Sequence, residues 1–147
     1  IKIKLVGDGE LADQLREQAA PLSDVIEFMG QRTDVPELLG ACDALVLPSW
    51  SEALPTVLIE AGAASLPLVA TDVGGSAEIV LDGDTGYIVP PGDVDQITDR
   101  LITLLSDLDS ARAMGARARE RVLATFSLEQ QARQTVALYE RVLSAKT

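Results

Sequence analysis

The segment "PSWSEALPTVLIEAGAASLPLVATDVGG", residues 48–75, decides the fold because it joins two apolar strands through a helix. The run "ALVLPS" at its start and the run "LPLVATD" near its end are apolar, as in strands that helices cover on both faces. Pro55 fits the first turn of a helix, where no amide hydrogen is needed. We therefore expect a helix from Pro55 to about Ser65.

Glu60 is the single ionisable side chain between Ala53 and Ala70. A helix that is apolar on nearly all sides is buried, and an ionised carboxylate inside a protein is costly unless it is paired or hydrogen-bonded. The sequence therefore predicts a buried Glu60 with a partner. That partner is either a group of the protein, such as a backbone N–H or an arginine, or the vicinal hydroxyls of a ribose.

The residues just before this helix are placed to bind a ligand. Glu52 follows the third strand at its carboxyl end, where ligands of open parallel sheets bind. The amide groups of "EALPT" at the helix start would attract phosphate through hydrogen bonds and the helix dipole. An ordinary strand-to-helix connection is the alternative for this loop.

The rest of the chain alternates between strand and helix patterns. This alternation predicts an α/β fold with right-handed crossovers and a Rossmann-like, doubly wound parallel sheet, followed by a helical C-terminal segment. We expect one domain over residues 1–147, truncated at its N-terminus. The last helix is expected to pack on the sheet, with partial exposure of its apolar side chains or a contact with a second copy as the alternative; these side chains are Val136, Leu138, Tyr139, Val142 and Leu143. The predicted helix N-caps are Thr33 or Asp34, Asp93, Asp109 and Ser127.

Composition excludes several classes of site. The single cysteine excludes an internal disulfide, and the lack of histidine excludes a Ser-His or Cys-His catalytic pair. The formal net charge of −11, with no basic run, argues against nucleic acid as a partner. No apolar run is long enough to span a bilayer, so we expect a cytoplasmic protein with no transmembrane segment.

The segment from Ser51 to Asp93 resembles the core signature of the retaining GT-B glycosyltransferases of the glycosyl-transferases-group-1 family. Its hallmark is two glutamates separated by seven residues, and Glu52 and Glu60 have this spacing. The similarity extends to "LVGDGEL", to "IEFMGQRTDVPELLGACDALVLPS" and to "FSLEQQARQTVALYERVL". It implies the carboxyl-terminal half of a GT-B fold, a domain that binds a nucleotide-diphosphate sugar as donor of a hexosyl group.

The resemblance also implies roles for individual residues. Glu60 would bind the donor ribose, and Glu52 would be the catalytic residue near the transferred sugar. The loop of Leu54, Pro55 and Thr56 would approach the diphosphate and ribose. A second loop would contact the nucleobase, partly through its main chain, and it comprises Gln31, Arg32 and Asp34. For Arg32 alone, a solvated loop charge is the alternative.

Two positions depart from the family pattern, which usually has glycine where this chain has Ala53 and Ser65. The change to Ala53 is costly only if φ is positive there, and Ser65 is expected to end its helix less cleanly than glycine would. The resemblance further implies a missing amino-terminal GT-B domain as partner, no cofactor and no metal, with the nucleotide sugar as substrate. Peripheral membrane association of the parent enzyme stays open, and the chain by itself is expected to be inactive.

Two other functions remain open from the sequence. "GDGELA", residues 7–12, fits the glycine fingerprint of a dinucleotide-binding unit, and Arg32 would suit the 2′-phosphate of NADP, so an NADP-binding oxidoreductase domain is one alternative. The other is a non-catalytic module, excised or designed from this fold.

Overall fold

The computed structural model describes residues 1–145 and confirms the α/β class. Five strands alternate with helices along the chain. The strands are β1 (Ile3–Val6), β2 (Ile26–Gly30), β3 (Leu45–Leu47), β4 (Leu68–Thr71) and β5 (Gly86–Val89). The helices are α1 (Ala12–Ala19), α2 (Val35–Gly40), α3 (Thr56–Ala63), α4 (Ser76–Ile79), α5 (Val94–Ser106), α6 (Leu108–Thr125) and α7 (Leu128–Ser144). All strand pairs are parallel.

The chain forms two compact units, one from Ile1 to Glu37 and the other from Leu38 onward. In the first unit β1 pairs with β2, with Ile3 opposite Ile26 and Leu5 opposite Phe28. Every residue of β1 is exposed, and α1 buries no residue. The first unit therefore contributes little to the buried core of the described residues.

The second unit holds the core around a three-stranded sheet in the order β3, β4, β5. Each residue of the central strand β4 is buried. Fully buried side chains from the helices and loops surround it, and they include Leu58, Ile79 and Val80. Each fully buried aliphatic side chain contributes roughly 1.5–3 kcal/mol through the hydrophobic effect, so this sheet is the main source of stability.

Two glycines allow α6 to lie close to the rest of the second unit. A β-carbon added at Gly62 of α3 would come within 2.9 Å of Val122 Cγ1 of α6. A β-carbon at Gly115 of α6 would come within 2.0 Å of the carbonyl oxygen of Ser65. Because both contacts leave no room for a side chain, α6 fixes α3 and the turn that leads from α3 to β4.

Most predicted element ends agree with the structure, and a few differ. Asp93 and Ser127 are confirmed as N-caps, because their side chains accept hydrogen bonds from the amides of Gln96 and Gln130. The prediction of Asp109 is wrong: α6 begins at Leu108, and its cap is Asp107, two residues earlier, which accepts from the Ser110 amide. Asp34 directly precedes α2.

Helix α3 is shorter than predicted, since it begins at Thr56 with Pro55 as its N-cap and ends at Ala63. The prediction that the last helix packs on the sheet is also wrong. Helix α7 buries no residue and contacts α6, and its apolar side chains are exposed. These include Val136, Leu138, Tyr139, Val142 and Leu143.

Ser65 ends α3 in a left-handed conformation, with φ of 64°. The Ser65 amide donates to the Gly62 carbonyl, and the Leu66 amide donates to the Ala61 carbonyl. This pair of bonds is the Schellman motif, in which the residue at the Ser65 position is usually glycine. Among the described residues Ser65 is the only non-glycine residue with a positive φ, so its departure from the family pattern carries a conformational cost.

We predict that Ser65→Gly raises the free energy of unfolding by about 1 kcal/mol, because glycine adopts the left-handed conformation without steric cost. Urea denaturation of the two proteins measures the difference. Ser65→Ala is the matched control, since alanine retains the β-carbon and should give no gain. Equal stabilisation by both substitutions would contradict the explanation.

Candidate functional site

Glu52 is held at the carboxyl end of the β-sheet by a chain of two hydrogen bonds. The buried Thr71, the last residue of β4, donates its hydroxyl to the Ser49 carbonyl at 2.6 Å. Ser49 in turn donates its hydroxyl to Oε1 of Glu52, also at 2.6 Å. The half-buried Glu52 is therefore fixed relative to the central strand, and Oε2 has no hydrogen-bond partner among the described residues.

The loop that carries Glu52 packs backbone to backbone against a second loop that contains Gly74 and Gly75. The Gly75 amide donates to the Ala53 carbonyl at 2.7 Å. A β-carbon at Gly74, where φ is 51°, would lie 2.1 Å from the Glu52 carbonyl oxygen. One at Gly75 would lie 2.7 Å from Leu54 Cδ1. Only glycine at these two positions permits so close an approach.

Ala53 does not strain this loop. Its φ is not positive, so alanine adopts the local conformation at no special cost. The geometry of the loop is thus compatible with alanine in place of the glycine that is usual in the family.

A groove of about 760 Å³ lies beside this loop in the second unit. Leu54, Thr56 and Glu60 of the predicted donor site line it together. Ile59 of α3 also lines the groove. Helices α4, α6 and α7 and the turn between α6 and α7 complete it with Glu78, Arg121, Thr125, Phe126, Gln131 and Gln134. The structure thus brings three predicted residues to one surface, while Glu52 lies outside this groove.

Glu60 is exposed, which corrects the prediction that it is buried. Helix α3 buries Leu58, Ala61 and Gly62. These positions are three and four residues apart and share one face of the helix, whereas Glu60 is two residues from Leu58 and lies roughly opposite. No described residue forms a hydrogen bond or ion pair with the Glu60 carboxylate, so this carboxylate is available to a ligand.

The start of α3 presents free backbone donors to the same region. The amide of Leu58 donates to the carbonyl of the buried Pro55. The amides of Thr56 and Val57 have no hydrogen-bond partner among the described residues. Unpaired amides at a helix N-terminus attract an anionic oxygen.

Arg121, the cationic side chain that lines this groove, forms hydrogen bonds with the backbone of α4. Its Nε donates to the Ile79 carbonyl at 2.9 Å, and its Nη2 donates to the Glu78 carbonyl at 2.6 Å. Arg121 thereby ties the end of α4 to α6. It contributes positive charge to the groove while its donors satisfy the protein backbone.

The predicted nucleobase loop belongs to the first unit. Gln31 and Arg32 are exposed and Asp34 is half-buried. The Arg32 guanidinium forms a bidentate ion pair with Asp34, with Nε to Oδ1 at 2.8 Å and Nη2 to Oδ2 at 2.6 Å. This hydrogen-bonded guanidinium holds the pKa of Asp34 below its usual range and raises the pKa of Arg32. Arg32 is therefore an exposed charge that is paired within its own loop.

Three residues of this site were not singled out from the sequence. Ser49 and Thr71 are small polar residues at or just after the ends of apolar strands. Such a position predicts a residue at the ligand-binding edge of the sheet and could have identified both. Arg121 is one of several arginines on α6, and only the fold shows which of them reaches the groove. In the part of the chain that the structure describes, no group of side chains has the make-up of a metal site.

Comparison with known proteins identifies the family. A family model described as "Glycosyl transferases group 1" matches residues 1–107. The chain belongs to this family of glycosyltransferases.

The relatives that this chain resembles are considerably longer than the chain itself. It is 38% identical to the N-acetyl-alpha-D-glucosaminyl L-malate synthase of Bacillus anthracis over 144 residues, which cover 97% of the chain and 38% of the relative. It is 34% identical to a lipopolysaccharide core biosynthesis mannosyltransferase of Rhizobium meliloti, with 88% of the chain and 38% of the relative covered. The chain thus spans less than two fifths of the length of these relatives.

Solved structures confirm the Rossmann-like GT-B fold for this family member. Sucrose-phosphate synthase from Thermosynechococcus elongatus superposes with a TM-score of 0.84 at 32% identity, over 98% of the chain and 39% of the enzyme. HepE from Anabaena, solved in complex with UDP-glucose, gives a TM-score of 0.82 at 27% identity, over 92% and 40% of the two chains. These similarities do not favour the alternatives of an NADP-binding domain or a non-catalytic module.

We predict that Thr71→Val rearranges the loop that carries Glu52, because valine keeps the shape of threonine but cannot donate to the Ser49 carbonyl. The loss of this bond should lower the free energy of unfolding by about 1–2 kcal/mol. It should also change the fluorescence of Trp50, the only tryptophan of the chain and the neighbour of Ser49. Thr71→Ser retains the hydroxyl and should keep the original emission. Unchanged emission in Thr71→Val would contradict the role of this bond.

Proposed function

We propose that this chain is the carboxyl-terminal, donor-binding part of a retaining glycosyltransferase that transfers a hexosyl group from a nucleotide-diphosphate sugar to an acceptor. The observation that carries the proposal is the arrangement of the two glutamates. Glu52 is fixed by the Ser49 hydroxyl at the sheet edge, and Glu60 is an unpaired carboxylate in the adjacent groove. The HepE complexes with UDP and UDP-glucose support a donor of this class.

In this proposal Glu60 binds the ribose of the donor. An ionised carboxylate has two acceptor oxygens and can accept hydrogen bonds from two vicinal hydroxyls at once. Glu60 has both oxygens available, and the groove of about 760 Å³ is large enough for a nucleoside. The loop of Leu54, Pro55 and Thr56 then meets the ribose and the diphosphate, with the free amide of Thr56 directed to an anionic oxygen.

Glu52 acts on the transferred sugar. Its Oε1 is engaged by Ser49, and its Oε2 is available to accept a hydrogen bond from a sugar hydroxyl. Because Thr71 fixes this carboxylate through Ser49, it needs little reorganisation when the donor binds. A preorganised charge at the position where the anomeric carbon becomes positive favours the transition state.

The diphosphate needs more positive charge than this chain supplies. The formal net charge is −11, and the donors of Arg121 are satisfied by backbone carbonyls. We therefore assign the neutralising cations to the remainder of the enzyme, including the amino-terminal GT-B domain that carries the acceptor site. The nucleotide sugar is a substrate, and neither a cofactor nor a metal is part of this proposal.

The nucleobase is assigned to the loop of Gln31, Arg32 and Asp34. Since Arg32 and Asp34 form hydrogen bonds with each other, this loop would contact the base mainly through its main chain and Gln31.

We place the enzyme in the cytoplasm, where nucleotide sugars serve as donors. The described residues include no helix with the length and apolar character of a membrane span, and the parent enzyme can still bind a membrane peripherally.

We predict that UDP, GDP or ADP at millimolar concentration raises the thermal midpoint of the chain, since a ligand that binds the folded state stabilises it. Glu60→Gln should lower the affinity for the nucleotide that binds best by roughly ten- to thirtyfold, because hydrogen bonds to a charged acceptor are lost. The affinity is read from the midpoint as a function of nucleotide concentration.

Glu120→Gln is the matched control, because Glu120 is an exposed carboxylate of α6 outside the groove. It removes the same negative charge and should leave nucleotide affinity almost unchanged. Equal affinities of Glu60→Gln and the original chain would refute the ribose assignment. Stabilisation by NADP with no response to any of the three nucleotides would instead support the dinucleotide-binding alternative.

A further inference from the structure

Trp50 lies at the carboxyl edge of the sheet in the second unit, three residues after β3 ends at Leu47. The residue is 76% exposed, and it stands two positions before Glu52. An exposed tryptophan forgoes much of the stabilisation that its large apolar surface would bring if buried. Its position in the chain, two residues before the fixed Glu52, makes a bound ligand one reason for this exposure.

The Trp50 ring is seated on the loop that follows β5. A β-carbon added at Gly92 would lie 2.4 Å from Cη2 of Trp50 and 3.1 Å from Cζ3. Gly92 also has a φ of 79°, a conformation that favours glycine. Since β4 lies between β3 and β5, the indole links the loop after one outer strand of this sheet to the loop after the other.

Both ends of this contact are fixed. Thr71 binds the Ser49 carbonyl directly before Trp50. On the other side, Asp93 caps α5 by accepting from the Gln96 amide at 2.9 Å, directly after Gly92. The ring is thus an exposed aromatic surface held in place by its neighbours, and little conformational entropy is lost when a ligand covers it.

We propose that Trp50 is a stacking surface for the apolar face of a hexopyranose ring, next to Glu52. A pyranose ring presents C–H groups on its face and hydroxyls around its rim, so an aromatic plane and an adjacent carboxylate match it together. Trp50 supplies the plane, and Oε2 of Glu52 accepts from a rim hydroxyl. This inference rests on the proposed function and adds a residue that contacts the sugar independently of the nucleotide.

The single tryptophan makes this inference directly measurable. UDP-glucose at millimolar concentration should change the Trp50 emission, while UDP alone should raise the thermal midpoint and leave the emission unchanged. Trp50→Ala should bind UDP-glucose about three- to tenfold more weakly, with its affinity for UDP retained. Both affinities are read from the thermal midpoint, because this variant has no tryptophan. Trp50→Phe, which keeps an aromatic plane, should recover part of the loss.

A second titration distinguishes the two sources of a hexose. A response to UDP-glucose assigns the ring to the donor sugar, and a response that appears only when methyl glucoside is added to the UDP-glucose complex assigns it to the acceptor. Binding of UDP with no effect of either sugar on emission, and equal UDP-glucose affinity in Trp50→Ala, would overturn the inference while leaving the nucleotide site intact. If neither UDP nor UDP-glucose binds, the proposed function fails and this inference fails with it.

Discussion

The candidate site depends on the direct contact between two backbone segments, the loop of Glu52 to Leu54 and the loop of Gly74 and Gly75. With any β-carbon at Gly74 the Glu52 carbonyl would have to move, because the two atoms would lie 2.1 Å apart. The hydrogen bond from the Gly75 amide to Ala53 closes this contact. This contact contributes to the position of Glu52 and of the residues that lead into α3.

Close packing of this kind recurs on the other side of α3. The contacts of Gly62 with Val122 and of Gly115 with the Ser65 carbonyl hold α3 between the sheet and α6. Interiors at such density transmit displacement, because no void absorbs it. Residues far from the groove, such as Gly115, therefore contribute to where Glu60 lies even though they contact no ligand.

The fold was largely predictable from the sequence because its signals are local. Apolar strands, helix periodicity and side-chain caps such as Asp93 and Ser127 depend on residues near one another in the chain. The error at Asp109 arose because three acidic or polar residues at the start of α6 are equally suitable as caps, and backbone geometry selects Asp107. The exposure of α7 could not be read from periodicity, which shows that a helix has an apolar face but not what covers it.

The site was predictable in its residue types and less so in its environment. The spacing of Glu52 and Glu60 and the family resemblance identified both carboxylates. The burial predicted for Glu60 was wrong because the prediction used the apolar composition of the whole helix. The structure buries only the face of Leu58, and the opposite face, which carries Glu60, is exposed. The hydrogen bond that supports Glu52 from β4 joins Thr71 to Ser49, which lies two residues after β3. These residues are far apart in the sequence, so the sequence does not reveal the bond. The individual roles of the predicted residues remain predictions.

The arginines of α6 have a consequence for the electrostatic field of the molecule. Arg117, Arg119 and Arg121 each donate to a backbone carbonyl, of Asp84, Ala63 and Ile79 respectively. Their guanidinium groups join loops and helix ends to one another, and 23 acidic side chains against 12 basic ones leave the surrounding potential negative. A multiply charged anion that diffuses toward the groove is therefore repelled at long range and attracted only at contact. Association should be slow in dilute buffer, with added salt reducing the repulsion.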